Sequence, residues 1–287
     1  MTDAPDWQLT VSVNASPVGT VPGPDSPDWQ ATIQIVPSAQ NDAPDWQVIA
    51  VGPGGTPIGP SKPTYDQLMA LYFPTVWYKM DESAGPSAVD SSGNGWTGTY
   101  AGSGVTYGIP GPVPGDTGVA LDGVAGGIVS SFVPGNAFGF SMVVWYKGLP
   151  AIWAPALAST NDVFHTGSGI ALFAGTLSSV PTVEGDLHDS TSRRVAKAPG
   201  PPTDSKWHMI GWRAGGGVWD TKLNFDGVPQ SLGDDTDFLP NVVSGNALQI
   251  GIPYGADSYY PGPVAQFAYW DGGFLSDEQF AALFAAV

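Results

Sequence analysis

The sequence contains no cysteine, so disulfide bonds and thiolate metal sites are excluded. It has no apolar run of about 18 residues, the length that a membrane-spanning helix needs. The opening MTDAPDWQLT has neither the basic region nor the apolar run of a secretory signal. From these absences we expect a chain without disulfides that is made in the cytoplasm and does not insert into a membrane.

Positive charge is scarce as well. Nine basic residues stand against 26 acidic ones, which gives a formal net charge of −17. Nucleic acids and anionic membranes are bound by clustered Lys and Arg side chains, so we expect neither partner. The basic residues that do cluster are Arg193, Arg194 and Lys197, with Lys206 and Arg213 further along. A solvated loop accounts for this cluster as simply as an anionic partner does.

Groups for catalysis are also few. Glycoside hydrolysis needs two carboxylates on either side of the scissile bond, and the chain has only three glutamates, which are far apart in sequence. The three histidines have no Ser or Cys partner in a recognisable nucleophile motif. His208 is expected to be a hydrogen-bonded core residue. We therefore predict no catalytic residue and a protein that is not an enzyme.

Glycine, proline and tryptophan are abundant, with 39, 28 and 11 residues, as is typical of a loop-rich all-β protein. Residues 206–228, KWHMIGWRAGGGVWDTKLNFDGV, predict a β-hairpin with strands at 207–213 and 221–225. The first strand is apolar on both faces, so we expect it to be buried. The second strand alternates apolar and polar residues, so we expect it to be half exposed.

This hairpin, W-H-x-(apolar)-x-W followed by K-L-x-F-D-G-V, resembles the central hairpin of the concanavalin A-like, or laminin G-like, β-sandwich. Three other segments agree: DSSGNG at residues 90–95, ALDG at 120–123, and the ending from Leu248. The resemblance covers about residues 76–287 and implies two antiparallel sheets packed face to face. It implies no single function, because this fold carries lectins, glycosidases and structural modules.

The remaining patterns agree with a sandwich. Further strands are predicted at residues 76–80, 119–121, 128–132, 140–147, 156–159, 170–173, 193–196, 247–250 and 264–271. The strand 140–147 is apolar on both faces and is expected at the centre of a sheet.

Two capping boxes predict short helices, one from Thr64 and Gln67 and one from Ser276 and Gln279. The first helix lies in a linker at residues 61–75. Its predicted apolar face comprises Leu68, Leu71 and Tyr72. The second helix ends the chain and is expected to plug the core with Phe280, Leu283, Phe284 and Val287, with Leu275 and Phe280 as a hydrophobic staple.

Residues 1–60 contain the motif PDWQ three times, each copy followed by a β-prone segment: LTVSV, ATIQIV and VIAV. In one interpretation this segment is an extended arm whose strands add to the edge of a partner's sheet. Each copy would then dock through its tryptophan and aspartate, Trp7 with Asp6, Trp29 with Asp28 and Trp46 with Asp45. In the other interpretation, the three strands form a small sheet on the chain's own sandwich with the tryptophans as its core.

PDWQ repeats ahead of a laminin G-like domain resemble the minor tail proteins of tailed phages of high-GC bacteria. The resemblance implies a virion tail location, a homo-oligomer such as a trimer, and other tail proteins as partners of residues 1–60. It also implies that residues 76–287 are displayed for binding to host-surface glycans. The alternatives are a decoration or inter-subunit clamp that binds no glycan, and a glycan-processing enzyme.

Two kinds of site are predicted in the sandwich. Asp81, Asp90, Asp122 and Asp271 lie at strand ends or in turns, where they would either ligate calcium or cap turns. A glycan site needs exposed aromatic rings beside polar groups. The residues favoured for it are Tyr254, Tyr259, Tyr260 and Trp96.

Overall fold

The computed structural model describes residues 9–14, 30–37, 46–51, 57–58, 62–135, 139–148, 155–160, 168–177, 180–188, 193–200, 204–215, 220–230, 245–253 and 258–287. The chain divides into two compact units, Met1–Pro63 and Thr64–Val287. Within the ranges just given, no helix has the length and hydropathy needed to cross a bilayer.

The first unit contains one antiparallel sheet of four strands in the order β1-β2-β3-β4. The strands are β1 (Leu9–Asn14), β2 (Gln30–Pro37), β3 (Trp46–Val51) and β4 (Pro57–Ile58). The first three contain the segments that were predicted to be β-prone, and β4 was not predicted. The strands that follow the PDWQ motifs therefore pair with one another.

The second unit contains the remaining strands and both helices. In chain order they are α1 (Tyr65–Tyr72), β5 (Val76–Tyr78), β6 (Ser87–Ala88), β7 (Gly98–Ala101), β8 (Val105–Pro110), β9 (Thr117–Asp122), β10 (Gly127–Ser130), β11 (Gly139–Lys147), β12 (Pro155–Ser159), β13 (Gly169–Leu177), β14 (Val180–His188), β15 (Arg193–Pro199), β16 (Trp207–Gly215), β17 (Asp220–Phe225), β18 (Val228–Pro229), β19 (Gln249–Ile250), β20 (Ser258–Tyr259), β21 (Pro261–Asp271) and α2 (Asp277–Ala285).

These strands form two sheets. One has nine strands in the order β15-β14-β13-β12-β19-β10-β7-β6, with β20 paired to β12. The other has eight strands in the order β18-β17-β16-β11-β21-β9-β8, with β5 paired to β21. All pairs are antiparallel except β12 with β20. The predicted all-β, two-sheet antiparallel sandwich with a short C-terminal helix is confirmed.

Strand β11 lies at the centre of the eight-stranded sheet, between β16 and β21, as its two apolar faces predicted. Met142 and Val144 point into the core between the sheets. Val143 and Trp145 point to the opposite face, where they belong to a second buried cluster. The eight-stranded sheet therefore buries apolar side chains on both of its faces, and the second cluster includes residues of both helices.

Both predicted capping boxes are confirmed. In α1 the Thr64 hydroxyl accepts the Gln67 backbone N–H at 3.3 Å, and the Gln67 side chain accepts the Thr64 N–H at 2.9 Å. The helix buries Tyr65, Leu68 and Met69. The prediction for Leu71 was wrong, since its side chain is 62% exposed. The buried face follows the spacing i, i+3, i+4 from Tyr65, and Leu71 falls outside it.

Helix α2 begins with the Ser276–Gln279 box and buries Phe280 and Leu283. The Phe284 ring stacks on Trp145 at 5.7 Å between centroids, on the outer face of the eight-stranded sheet. The helix thus covers that sheet from outside, and its predicted core residues Phe280 and Leu283 are buried in the second cluster. Val287 is 39% exposed because it lies beyond the end of the helix.

The central hairpin forms as β16 and β17, paired from Ile210–Phe225 to Gly215–Asp220. Its second strand is less exposed than predicted, because Asn224 is 1% exposed. The sequence did not indicate strands β6, β7, β8, β14, β18 and β20.

Candidate functional site

One end of the sandwich is formed by the start of β5, the start of β11 and the end of β21. Val76 pairs with Tyr269, and Phe140 pairs with Asp271, so these strand ends lie side by side. Four connecting segments lie at this end: residues 71–75, 90–97, 131–135 and 271–276. Hydrogen bonds link the segments to one another.

The Asp271 N–H donates to the Thr75 hydroxyl at 2.9 Å, and the Gly135 N–H donates to the Asp271 carboxylate at 3.2 Å. The Ser131 N–H donates to the Thr97 carbonyl at 3.2 Å.

Three exposed aromatic side chains lie on these segments. Phe73 is 81% exposed, Phe274 is 45% exposed and Trp96 is 37% exposed. We call these three side chains the aromatic rim. Exposed rings of this size are unusual on a sandwich that buries most of its aromatic residues, so the rim is a candidate binding surface.

The loop that carries Trp96 is organised by Asp90. One carboxylate oxygen accepts the N–H groups of Trp77 and Ser92, both at 3.0 Å. The other accepts the Ser92 hydroxyl and the Trp96 N–H, both at 2.9 Å. Asp90 therefore caps the turn and fixes the backbone of Trp96.

The other side of the Trp96 backbone is also held. The Tyr78 hydroxyl donates to the Trp96 carbonyl and accepts from the Ser130 hydroxyl at 2.5 Å. Burial raises the pKa of Tyr78 to about 12, so this phenol remains a neutral donor at neutral pH. The indole rests edge-on against Phe132, with centroids 5.3 Å apart.

This arrangement suits a saccharide. A sugar ring presents an apolar face that packs on an indole and hydroxyls that need polar partners. The Ser92 hydroxyl and the Asn94 amide belong to the same loop as Trp96. Because the loop is already ordered by hydrogen bonds, a ligand would not have to order it.

Two of the three tyrosines predicted for a glycan site, Tyr259 and Tyr260, lie elsewhere. Tyr259 is partly exposed in β20, next to Ala156 of β12. Tyr260 is fully buried and donates its hydroxyl to the Gly148 carbonyl at 3.1 Å. The prediction of Tyr260 as an exposed sugar contact was wrong, because its ring fills the core and burial raises its pKa. Tyr254 lies outside the described residues.

The aspartates predicted as calcium ligands are not brought together. Within the described part of the chain, no three acidic or imidazole side chains are grouped closely enough to hold a metal ion. One Asp122 oxygen accepts the N–H groups of Ala125, Val124 and Gly126 at 2.9 to 3.0 Å, which lowers its pKa. Asp90 and Asp122 cap turns, which is the alternative to calcium ligation that the sequence left open. Asp271 bonds to Gly135, and Asp81 is exposed.

Five of the six residues predicted to dock on partners lie outside the described residues. They are Trp7, Trp29, Asp6, Asp28 and Asp45. Trp46 is the first residue of β3, where its backbone pairs with Pro37. The docking role of these residues stays a prediction.

His208 is the hydrogen-bonded histidine that the sequence predicted. Its Nδ1 lies 2.7 Å from the Asp226 carboxylate and its Nε2 lies 2.9 Å from the Asp204 carboxylate. Burial lowers the pKa of His208, but the hydrogen bonds to the two carboxylates outweigh it and raise the pKa above 6.5. The ring therefore joins the segment before β16 to the turn after β17.

One acidic pair was not predicted from the sequence. Glu184 and Asp186 are alternate residues of β14, so both point to the same face of the nine-stranded sheet. They are 7% and 0% exposed. Val183 and Leu187 point into the core, so the acidic pair points away from it. The E-x-D spacing was visible in the sequence, but the strand that carries it was not predicted.

Comparisons with known proteins agree with the fold. No family model matches the chain, and no curated protein matches it. Domain 4 of AbnA, a GH43 extracellular arabinanase from Geobacillus stearothermophilus solved with arabinotriose, superposes with a TM-score of 0.53 and 17% identity. The match covers 73% of this chain and 97% of that domain.

Two toxin domains are similar in the same way. The botulinum neurotoxin serotype G binding domain gives a TM-score of 0.57 at 15% identity, over 74% of this chain and 50% of its own. The binding domain of Paraclostridial Mosquitocidal Protein 1 gives 0.56 at 11% identity, over 74% and 51%. The chain thus spans about half the length of these toxin domains. At these identities the likeness shows a shared β-sandwich fold.

Proposed function

We propose that the sandwich, residues 76–287, is a binding module for host-surface glycans in a phage tail component. The observation that carries this proposal is the exposed indole of Trp96, held by Asp90 and Tyr78 beside a hydroxyl and an amide. An aromatic ring on a rigid polar loop is the arrangement that recognises a saccharide. The similar fold of an arabinanase domain solved with arabinotriose supports the proposal.

The test is a binding measurement on the full chain with arabinotriose and with neutral gluco-, galacto- and manno-oligosaccharides. We expect at least one of them to bind, and Trp96→Ala to weaken binding about 10-fold or more. Val124→Ala is the matched control. Val124 is 72% exposed and lies in the turn before β10, and Trp96 lies near the opposite end of that strand. If no oligosaccharide binds, the clamp without glycan binding is the better account.

Residues 1–60 supply the attachment in this proposal. The motif PDWQ occurs three times, and a strand follows each copy. The segment has six aspartates and no lysine or arginine, so an acidic surface would meet the tail partner. Replacing Trp7, Trp29 and Trp46 with alanine should abolish incorporation into virions and leave oligosaccharide binding intact. Normal incorporation of the triple variant would contradict the docking role.

The pair Glu184 and Asp186 favours a second candidate function, glycan hydrolysis. Alternate residues on a strand have Cα atoms about 7 Å apart and side chains on the same face, so the two carboxylates lie side by side, and hydrolysis uses such a pair. The test is release of reducing ends from neutral polysaccharides by the full chain, compared with Glu184→Gln. Activity that the variant loses would favour an enzyme. Binding without release would favour the binding module.

A further inference from the structure

Phe73 has no evident role in the core. It ends α1 with φ 49° and ψ 63°, in the left-handed region that glycine favours and other residues adopt at a cost. Its side chain is 81% exposed. The space beneath this end of the helix is filled by Trp270, which is 4% exposed and donates its indole N–H to the Tyr72 carbonyl at 2.7 Å.

The segment that carries Phe73 is tied to the loop that carries Trp96. The Asn94 amide donates to the Thr75 carbonyl at 3.0 Å and to the Pro74 carbonyl at 3.3 Å. The Ser92 hydroxyl lies 3.1 Å from the same Thr75 carbonyl. The segments that carry Phe73 and Trp96 are therefore joined by hydrogen bonds from side chains to the backbone, with Asn94 at the junction.

The charge at this end of the sandwich restricts the ligand. The four segments, residues 71–75, 90–97, 131–135 and 271–276, contain Asp90 and Asp271 and no Lys, Arg or His. A neighbouring cation, Arg213, donates to the Leu275 carbonyl at 2.8 Å and pairs with Asp277 at 3.1 Å. The whole chain carries −17. An anionic polymer would therefore be repelled here, and the four segments offer it no cluster of cationic side chains.

We propose that the ligand site extends from Trp96 across Asn94 to Phe73, and that it takes uncharged oligosaccharides and rejects anionic ones. This inference rests on the glycan-binding function proposed above. Two rings on adjoining segments give room for more than one sugar unit. The exposed ring of Phe73 contacts the ligand, because glycine would suit the left-handed backbone at that position and the fold does not need the ring.

The experiment uses the full chain with Phe73→Gly, Trp96→Ala and Val124→Ala as variants. The probes are neutral tri- and hexasaccharides and, as anionic probes, oligogalacturonates of the same lengths. We expect Phe73→Gly to melt at the same temperature as the wild type or higher. We also expect it to bind the neutral hexasaccharide about 3- to 10-fold more weakly, while Val124→Ala changes nothing.

The outcomes are separable. If wild type binds neutral probes and Trp96→Ala does not, but Phe73→Gly binds as wild type does, the extension to Phe73 is overturned and the proposed function stands. Anionic probes that bind as tightly as neutral ones overturn the assignment to uncharged ligands. If no probe binds to the wild type, the proposed function itself fails.

Discussion

Asn224 lowers the stability of the fold. Its side chain is buried on the outer face of β17, opposite Gly211, and neither its amide nitrogen nor its amide oxygen has a hydrogen-bond partner among the described residues. A buried polar group without a partner costs about 1 to 3 kcal/mol. We expect Asn224→Val, which also suits a strand, to raise the free energy of unfolding by about 1 kcal/mol. Chemical denaturation measures this change.

Thr221 on the same strand is the matched control. It is buried, and its hydroxyl accepts the Trp212 indole N–H at 3.0 Å. Thr221→Val removes that acceptor, so it should lower the free energy of unfolding by about 1 kcal/mol or more. Equal effects of the two valine substitutions would contradict the assignment of Asn224 as an unpaired group.

His208 makes stability depend on pH. Its folded pKa lies above the unfolded value of 6.5, so the folded state binds the proton more tightly. The added stability is complete below pH 6.5 and is lost as the pH rises through the folded pKa. We expect the wild type to be more stable than His208→Gln by a larger margin at pH 6 than at pH 9, in urea denaturation at both pH values.

Asp204→Asn is the graded control, because it removes one of the two carboxylates that face the ring and leaves Asp226 in place. The pH-dependent margin should shrink without vanishing. A margin that grows from pH 6 to pH 9 would show that burial, which lowers the pKa, outweighs the two hydrogen bonds.

Residue types alone could not decide what each aspartate does. Asp90 and Asp122 stand in turns, and the sequence allowed either calcium ligation or turn capping. The choice depends on which backbone N–H groups point at each carboxylate, and that is set by the loop conformation. Trp96 is exposed, as was predicted, whereas the burial of Tyr260 could not be predicted because it depends on contacts between distant segments.

At the scale of elements, the capping boxes were the clearest signals. Ser276 accepts the Gln279 N–H at 3.2 Å, and the helix that it starts covers Trp145. We expect Ser276→Ala to lower the free energy of unfolding by about 1 kcal/mol, measured by thermal and urea unfolding. Ser131→Ala, at an exposed residue outside any helix, should change it by less than about 0.5 kcal/mol. Similar losses in both variants would contradict the capping role.

Strand β14 shows why some elements escaped prediction. Its segment, VPTVEGDLH, contains the poor strand formers Pro, Gly, Asp and Glu. Gly185 is required because a Cβ there would lie 2.5 Å from the Trp212 side chain of the opposite sheet. Strand β11, by contrast, carries its own signal in a continuous apolar run. Packing between the sheets brings together residues that are far apart in sequence, so a local sequence pattern does not predict it.

At the scale of the molecule, the two compact units predict that the sandwich folds alone. Among the residues whose burial is described, both large apolar clusters lie within residues 64–287. We expect this fragment to unfold cooperatively and to bind oligosaccharide as the full chain does, measured by differential scanning calorimetry and titration. A fragment without a cooperative transition would show that the first unit is needed for folding.

The central claim is that the indole of Trp96 contacts the ligand. The most direct measurement is a titration of the isotope-labelled full chain with a neutral oligosaccharide, monitoring the indole N–H signals of the eleven tryptophans by NMR. The account predicts that the Trp96 signal, assigned with Trp96→Phe, shifts and saturates, whereas that of the buried Trp212 does not move. Saturable binding that leaves the Trp96 signal unchanged would contradict it.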